Sequence, residues 1–264
     1  MLRLENINKI FNEGTVDEKI ALKNINLTLE KGDFVTIIGS NGAGKSTLMN
    51  IISGLLEPDS GKVMINNKDV TSVPEYKRSR LIGRVFQDPM AGTAPTMTIE
   101  ENLAIAYSRN KKRTLKFGVN QNRRKFFKEA LATLNLGLEN RLTAKVGLLS
   151  GGERQALSLL MATFTQPSIL LLDEHTAALD PSRAKLITEL TKEIVEKYHL
   201  TTLMVTHNMQ QAIDLGNRLI MMDNGQIILN IDESRKRNLT VEDLLNEFQR
   251  IRGQKLTTDR TLLA

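Results

Sequence analysis

The run Gly39-Ser40-Asn41-Gly42-Ala43-Gly44-Lys45-Ser46-Thr47 constrains this chain more than any other segment. It follows Phe34-Val35-Thr36-Ile37-Ile38, a short apolar β-branched stretch that reads as a buried strand, and it precedes a segment of helical period. Glycines at these positions let the backbone wrap so that successive N–H groups face an anion, and a helix starting near Lys45 adds its positive dipole end. A glycine-rich turn that merely reverses the chain is the simpler alternative, but it has no need of strand and helix flanks. Ser40, Asn41, Gly42, Ala43, Gly44, Lys45, Ser46 and Thr47 are therefore expected to cradle phosphate. In that cradle Lys45 reaches the β- and γ-phosphates and the Ser46 hydroxyl ligates Mg2+.

Two further apolar runs end in chemically capable residues. Ile169-Leu170-Leu171-Leu172 stops at Asp173-Glu174, and Leu203-Met204-Val205-Thr206 stops at His207. Strand-length runs alternating with longer helical segments indicate an α/β fold with a mostly parallel sheet, in which functional groups gather at the carboxyl ends of strands. A carboxylate at a buried strand end can hold Mg2+ through water, the role expected of Asp173, while Glu174 is placed to polarise an attacking water. Helix-capping acids are the competing reading of that pair. Between Pro89 and Thr165 the β character fades, and Arg124–Leu134 and Glu153–Phe164 read as helices of an inserted helical subdomain. Past Asp232, the spacing of Val241, Leu244, Leu245, Phe248 and Ile251 predicts a short amphipathic helix packed on the core.

Leu149-Ser150-Gly151-Gly152-Glu153-Arg154-Gln155 supplies a second anion cradle, a Ser-Gly-Gly turn opening a helix. One nucleotide does not need two cradles in one protomer. Two copies packed head to tail would use both, each presenting Ser150, Gly151 and Gly152 to the γ-phosphate held by the other.

Together these motifs resemble the ATP-binding cassette family, whose signature LSGGERQ is similar to, and the likeness runs in family order from Leu2 to Ile231. The resemblance implies a P-loop NTPase core of mostly parallel sheet with an antiparallel β region and an inserted helical subdomain. It implies one domain over 1–264: a core of 1–88 and 165–232, a helical subdomain of 89–164 and a helical tail of 233–264. It further implies that Phe11 stacks on adenine with Val16 beside it, and that Gln87 in Val85-Phe86-Gln87-Asp88-Pro89 touches Mg2+ or water and senses a membrane partner. Asp180 would lie at a dimer seam, and His207 would contact the γ-phosphate. Glu174, His207, Lys45 and Gln87 are thus the expected catalytic set, with ATP and Mg2+ as cofactors. Three positions depart from the common pattern: Glu153 for Gln, His175 for Pro and Ala177 for Ser. With no partner indicated by spacing, His175 reads as a tolerated loop residue. The string from Asp173 to Asp180 is similar to a subgroup serving importers of aromatic amino acids and related small solutes.

Composition limits the partners. The chain of 264 residues has no Cys, so no disulfide framework or thiolate metal site is possible. No apolar run approaches the length needed to span a bilayer, and Met1-Leu2-Arg3-Leu4-Glu5-Asn6 lacks the apolar core of a leader. Transport therefore requires separate transmembrane permease subunits, with a second copy of this chain and an extracytoplasmic solute-binding protein as further expected partners. The expected location is the cytoplasmic face of the membrane. An exporter or lipoprotein-release ATPase and a cytosolic assembly ATPase stay open as alternatives. The net charge of +6 is concentrated in Arg109, Lys111, Lys112, Arg113, Lys116, Arg123, Arg124, Lys125 and Lys128; a solvated face and a membrane-facing patch fit it equally. No nucleic-acid partner is expected.

Overall fold

A computed structural model describes residues 1–111 and 118–261, with the side chains of residue 252 and of 254–261 set aside. Lys112, Arg113 and Lys116 of the basic stretch lie outside the described residues.

Six strands form one sheet in the order β10-β9-β3-β8-β7-β6. They are β3 (Phe34–Gly39), β6 (Ile82–Val85), β7 (Ile169–Asp173), β8 (Thr202–Val205), β9 (Arg218–Asp223) and β10 (Gln226–Ile231). The first five pair in parallel and β10 adds an antiparallel edge. A second, antiparallel sheet contains β1 (Leu2–Phe11), β2 (Lys19–Leu29), β4 (Ser60–Ile65) and β5 (Lys68–Asp69).

Strand periodicity divides the core. Along β7, Ile169 and Leu171 face the antiparallel sheet and α1 (Lys45–Ser53), whereas Leu170 and Leu172 face a helical layer. A strand apolar on both faces must be covered on both sides, which is why this run is uninterrupted rather than alternating. Cover on the second side comes from α3 (Ile99–Tyr107), α4 (Gln121–Ala132), α5 (Gly151–Thr163) and α6 (Pro181–Tyr198). Among the described residues between β6 and β7 there is no strand, only one isolated bridge from Thr98 to Lys145. After the four-residue α2 (Glu75–Arg78), the remaining helices are α7 (Met209–Asp214), α8 (Glu233–Lys236) and α9 (Val241–Thr261). Of the apolar stripe expected in the tail, Leu244 is buried and Phe248 packs against the same cluster, whereas Leu245 is exposed. No described helix is long and apolar enough to cross a membrane.

Candidate functional site

The glycine-rich loop joins β3 to α1, and its shape depends on glycine where the chain bends most. Gly44 caps α1 with φ 98°, and a Cβ there would stand 2.5 Å from the carbonyl oxygen of Ala21. Any L-residue would therefore be both strained and in collision with β2. Lys45 turns back into the loop: its Nζ donates to the carbonyl oxygens of Gly39 at 2.8 Å and Ser40 at 3.0 Å. Burial lowers its pKa, opposed by the charges of Glu174 and Asp173. Ser40 donates to the Asp223 carboxylate at 3.3 Å, which ties the loop to the end of β9.

Adjacent strands β7 and β8 bring Glu174 and His207 together. His207 Nε2 lies 2.6 Å from Glu174 Oε1. Glu174 adopts φ 46°, a left-handed conformation unusual for a side-chain-bearing residue, and its N–H donates to the Val205 carbonyl at 3.0 Å. Such a conformation costs on the order of 1–2 kcal/mol and persists only where neighbours enforce it. Phe11, Lys19, Asn41 through Thr47, Glu174 and His207 line one cleft of about 270 Å3.

The remaining sequence-predicted residues distribute differently. Asp173 sits at the end of β7 with Oδ2 3.0 Å from Arg84 Nη2. Arg84 also donates to Ser53 Oγ at 3.3 Å and stacks 4.7 Å from the Phe86 ring centre. Gln87, just past β6, is exposed and has no side-chain partner among the described residues. Its loop is anchored from below, because Gln155, fully buried on α5, donates to the Phe86 carbonyl at 3.1 Å.

Val16 departs from expectation: it is wholly exposed in the β1–β2 turn and does not line the cleft beside Phe11. His175 also departs from its reading as a tolerated loop residue. It is buried, with Nε2 2.9 Å from Thr191 Oγ1 on α6, and desolvation lowers its pKa to about 4. The Thr191 hydroxyl donates to the Ile187 carbonyl, so the histidine must be the donor, as the neutral Nε2–H tautomer. Neither the buried position nor the partner was visible in local sequence spacing.

Ser150, Gly151, Gly152 and Asp180 do not line the cleft. Ser150 caps α5 in a reciprocal arrangement: its Oγ accepts from Glu153 N at 3.3 Å while Glu153 Oε2 accepts from Ser150 N at 2.8 Å. Arg141 pairs with the other Glu153 oxygen at 2.7 Å. Asp180 caps α6, accepting from Arg183 N at 3.1 Å. Lys19, Ala21 and Arg84 are the site residues that sequence reading missed. Lys19 opens a strand with no motif around it, and Arg84 sits inside a four-residue strand whose partner is 89 positions away.

Ser46, Asp173 and Gln87 offer hydroxyl, carboxylate and amide oxygens, a hard donor set that suits Mg2+. Asp173 Oδ1 has no protein partner among the described residues, which leaves that oxygen available to such an ion or its water.

The sequence profile of the family described as "ABC transporter" matches residues 22–177. The chain is 44% identical over 249 residues to a tyrosine transport ATP-binding protein of Clostridioides difficile (strain R20291), covering 94% of this chain and 99% of that one. It is 34% identical to a choline transport ATP-binding protein of Bacillus subtilis (strain 168), covering 86% of this chain and 56% of that one. A solved dimer of an ATP-binding cassette, in a post-hydrolysis state with ADP and Pi, superposes with a TM-score of 0.75 at 32% identity. That match covers 88% of this chain and 99% of the cassette.

Proposed function

This chain belongs to the ABC transporter family, as its ATP-binding and ATP-hydrolysing subunit, and we propose that it powers an importer of aromatic amino acids of the tyrosine type. The observation that carries the catalytic half of the reading is the Glu174–His207 contact at the wall of the phosphate-loop cleft. The cargo half rests on the tyrosine transport relative, which is matched over 99% of its length.

In the proposed cycle the N–H groups of residues 41–47 and the Lys45 ammonium hold the phosphates, and Phe11 stacks on adenine. Glu174 accepts a proton from the attacking water through its carboxylate, and His207 donates a hydrogen bond to the γ-phosphate. Ser46, Asp173 and Gln87 would hold Mg2+, which neutralises charge on the β- and γ-oxygens when bound. Ser150, Gly151 and Gly152 stand apart from the cleft of their own chain, which supports their use by a second copy. Closure would then bring the Ser150 hydroxyl and the α5 dipole to the partner's γ-phosphate and Asp180 to the seam. The dimeric cassette of similar fold favours this arrangement.

The helices of 89–164 form a helical subdomain beside the core of 1–88 and 165–232, with 233–264 as the tail. A groove of about 970 Å3 runs past exposed Tyr76 and Ile105 to Thr93, Asn102 and Arg109. It lies along the segment that follows Gln87, and this is where the permease would dock, holding the chain at the cytoplasmic membrane face. A solute-binding protein would deliver cargo on the other side.

The test is affinity purification from native membranes in mild detergent. Recovery of a multispan permease, with ATP hydrolysis by the complex rising on addition of tyrosine or a related amino acid, supports the reading. Recovery with soluble proteins alone sinks the transport function.

A further inference from the structure

Among the described residues His207 has one side-chain partner, Glu174, and is itself well exposed, so something other than its own packing must set its position. Its two chain neighbours are both held by Gln211 on α7. The Thr206 hydroxyl donates to Gln211 Oε1 at 2.6 Å, and the Asn208 side chain accepts from Gln211 N at 3.0 Å. Gln211 Nε2 in turn donates to Thr188 Oγ1 on α6 at 2.8 Å. The Thr188 hydroxyl spends its own proton on the Ala184 carbonyl at 2.8 Å, which leaves it an acceptor here. Every donor and acceptor in this chain of bonds is consistent with a single orientation of the Gln211 amide.

A matching strut holds the other half of the pair. His175, the residue after Glu174, reaches Thr191 on the same helix at 2.9 Å. Thr188 and Thr191 are three apart and share one face of α6. One helix face thus fixes the residue after Glu174 through Thr191 and the residue before His207 through Thr188 and Gln211.

We propose that Gln211 is a positioning residue that, braced on Thr188, holds His207 opposite Glu174. The α6 face bearing Thr188 and Thr191 then sets the spacing of the pair. Asp180 caps the N-terminus of α6, so a shift of that end on dimer closure would move both struts together. The inference rests on the proposed roles of Glu174 and His207 and goes beyond them to the residues that align them. Misalignment by a fraction of an ångström is felt in turnover and leaves the phosphate cradle untouched.

The experiment compares Gln211→Leu, Thr188→Val and Thr188→Ser in the full chain with Glu174→Gln as reference. It reads kcat, KM for ATP, affinity for a fluorescent ATP analogue and Tm. Gln211→Leu and Thr188→Val lower kcat on the order of tenfold with KM and nucleotide affinity unchanged. Thr188→Ser, which keeps the hydroxyl, restores the wild-type rate, and Gln211→Leu costs nothing further in a His207→Ala background. Wild-type kcat in both Gln211→Leu and Thr188→Val, with Glu174→Gln inactive, overturns the inference and leaves the reading of the site standing. A loss of kcat that tracks Tm and is not restored by Thr188→Ser also overturns it, as a structural effect alone. Wild-type turnover in Glu174→Gln removes the reading of the site itself, and the inference with it.

Discussion

His207 Nε2 and Glu174 Oε1 lie 2.6 Å apart at the carboxyl ends of neighbouring parallel strands. Parallel pairing at this edge places the ends of β7 and β8 side by side, so residues 33 positions apart in sequence meet without help from a long loop. Three strands, β3, β7 and β8, therefore deliver the phosphate loop, the carboxylate and the imidazole to one rim.

Lys45 folds back into the loop, donating to the Gly39 and Ser40 carbonyls. Lys45→Met removes a buried cation and frees two carbonyls, on half-buried Gly39 and exposed Ser40, where water can replace the lost donor. Stability should change by no more than about 1 kcal/mol. ATP affinity should fall roughly 10- to 100-fold, the cost of a lost charge-assisted contact. Titration with a fluorescent nucleotide, alongside urea unfolding, separates the two effects.

His175 makes folding sensitive to acid. Its folded pKa of about 4 lies below the ordinary value of 6.5, so between these values the unfolded chain takes up a proton that the folded chain refuses. The stability associated with neutral His175 is present above pH 6.5 and is lost as pH falls towards 4, amounting to ~3 kcal/mol. His175→Gln keeps a donor towards Thr191 and has no proton to gain. Urea midpoints measured from pH 7 to pH 4 should fall more steeply for the wild-type chain than for this variant.

Glu153 works as the return arm of the Ser150 cap. Glu153→Gln retains that hydrogen bond and gives up only the half-exposed pair with Arg141, so stability should stay within ~0.5 kcal/mol. Glu153→Ala removes the arm and should cost ~1 kcal/mol. Chemical denaturation of the two variants side by side checks the contrast.

Much of this was readable from sequence because it is local. The strand at Ile169–Asp173 is a continuous apolar run, and the loop at Gly39–Thr47 carries its strand and helix flanks with it. Helix α5 was expected from Glu153 and begins at Gly151, because Ser150 rather than Gly152 provides the cap. What could not be read depends on long-range pairing. Arg84 meets Asp173 only because β6 and β7 are adjacent. His175 reads as a tolerated substitution in sequence because its partner Thr191 lies 16 residues on, about three turns into α6 on that helix's buried face. Gln211 and Thr188 belong to no motif, and only the packing of α7 beside α6 reveals them. Val16, expected near Phe11 from the family resemblance, stands exposed in the turn that follows β1.

Under the proposed function Glu174 activates water in a site completed by a second copy. The most direct measurement is Glu174→Gln assayed for ATP turnover, with solution mass determined with and without Mg·ATP. Turnover should fall at least about a hundredfold while ATP still binds, and the variant should become a dimer only when ATP is present. Turnover near the wild-type rate, or a monomer at saturating ATP, would contradict it.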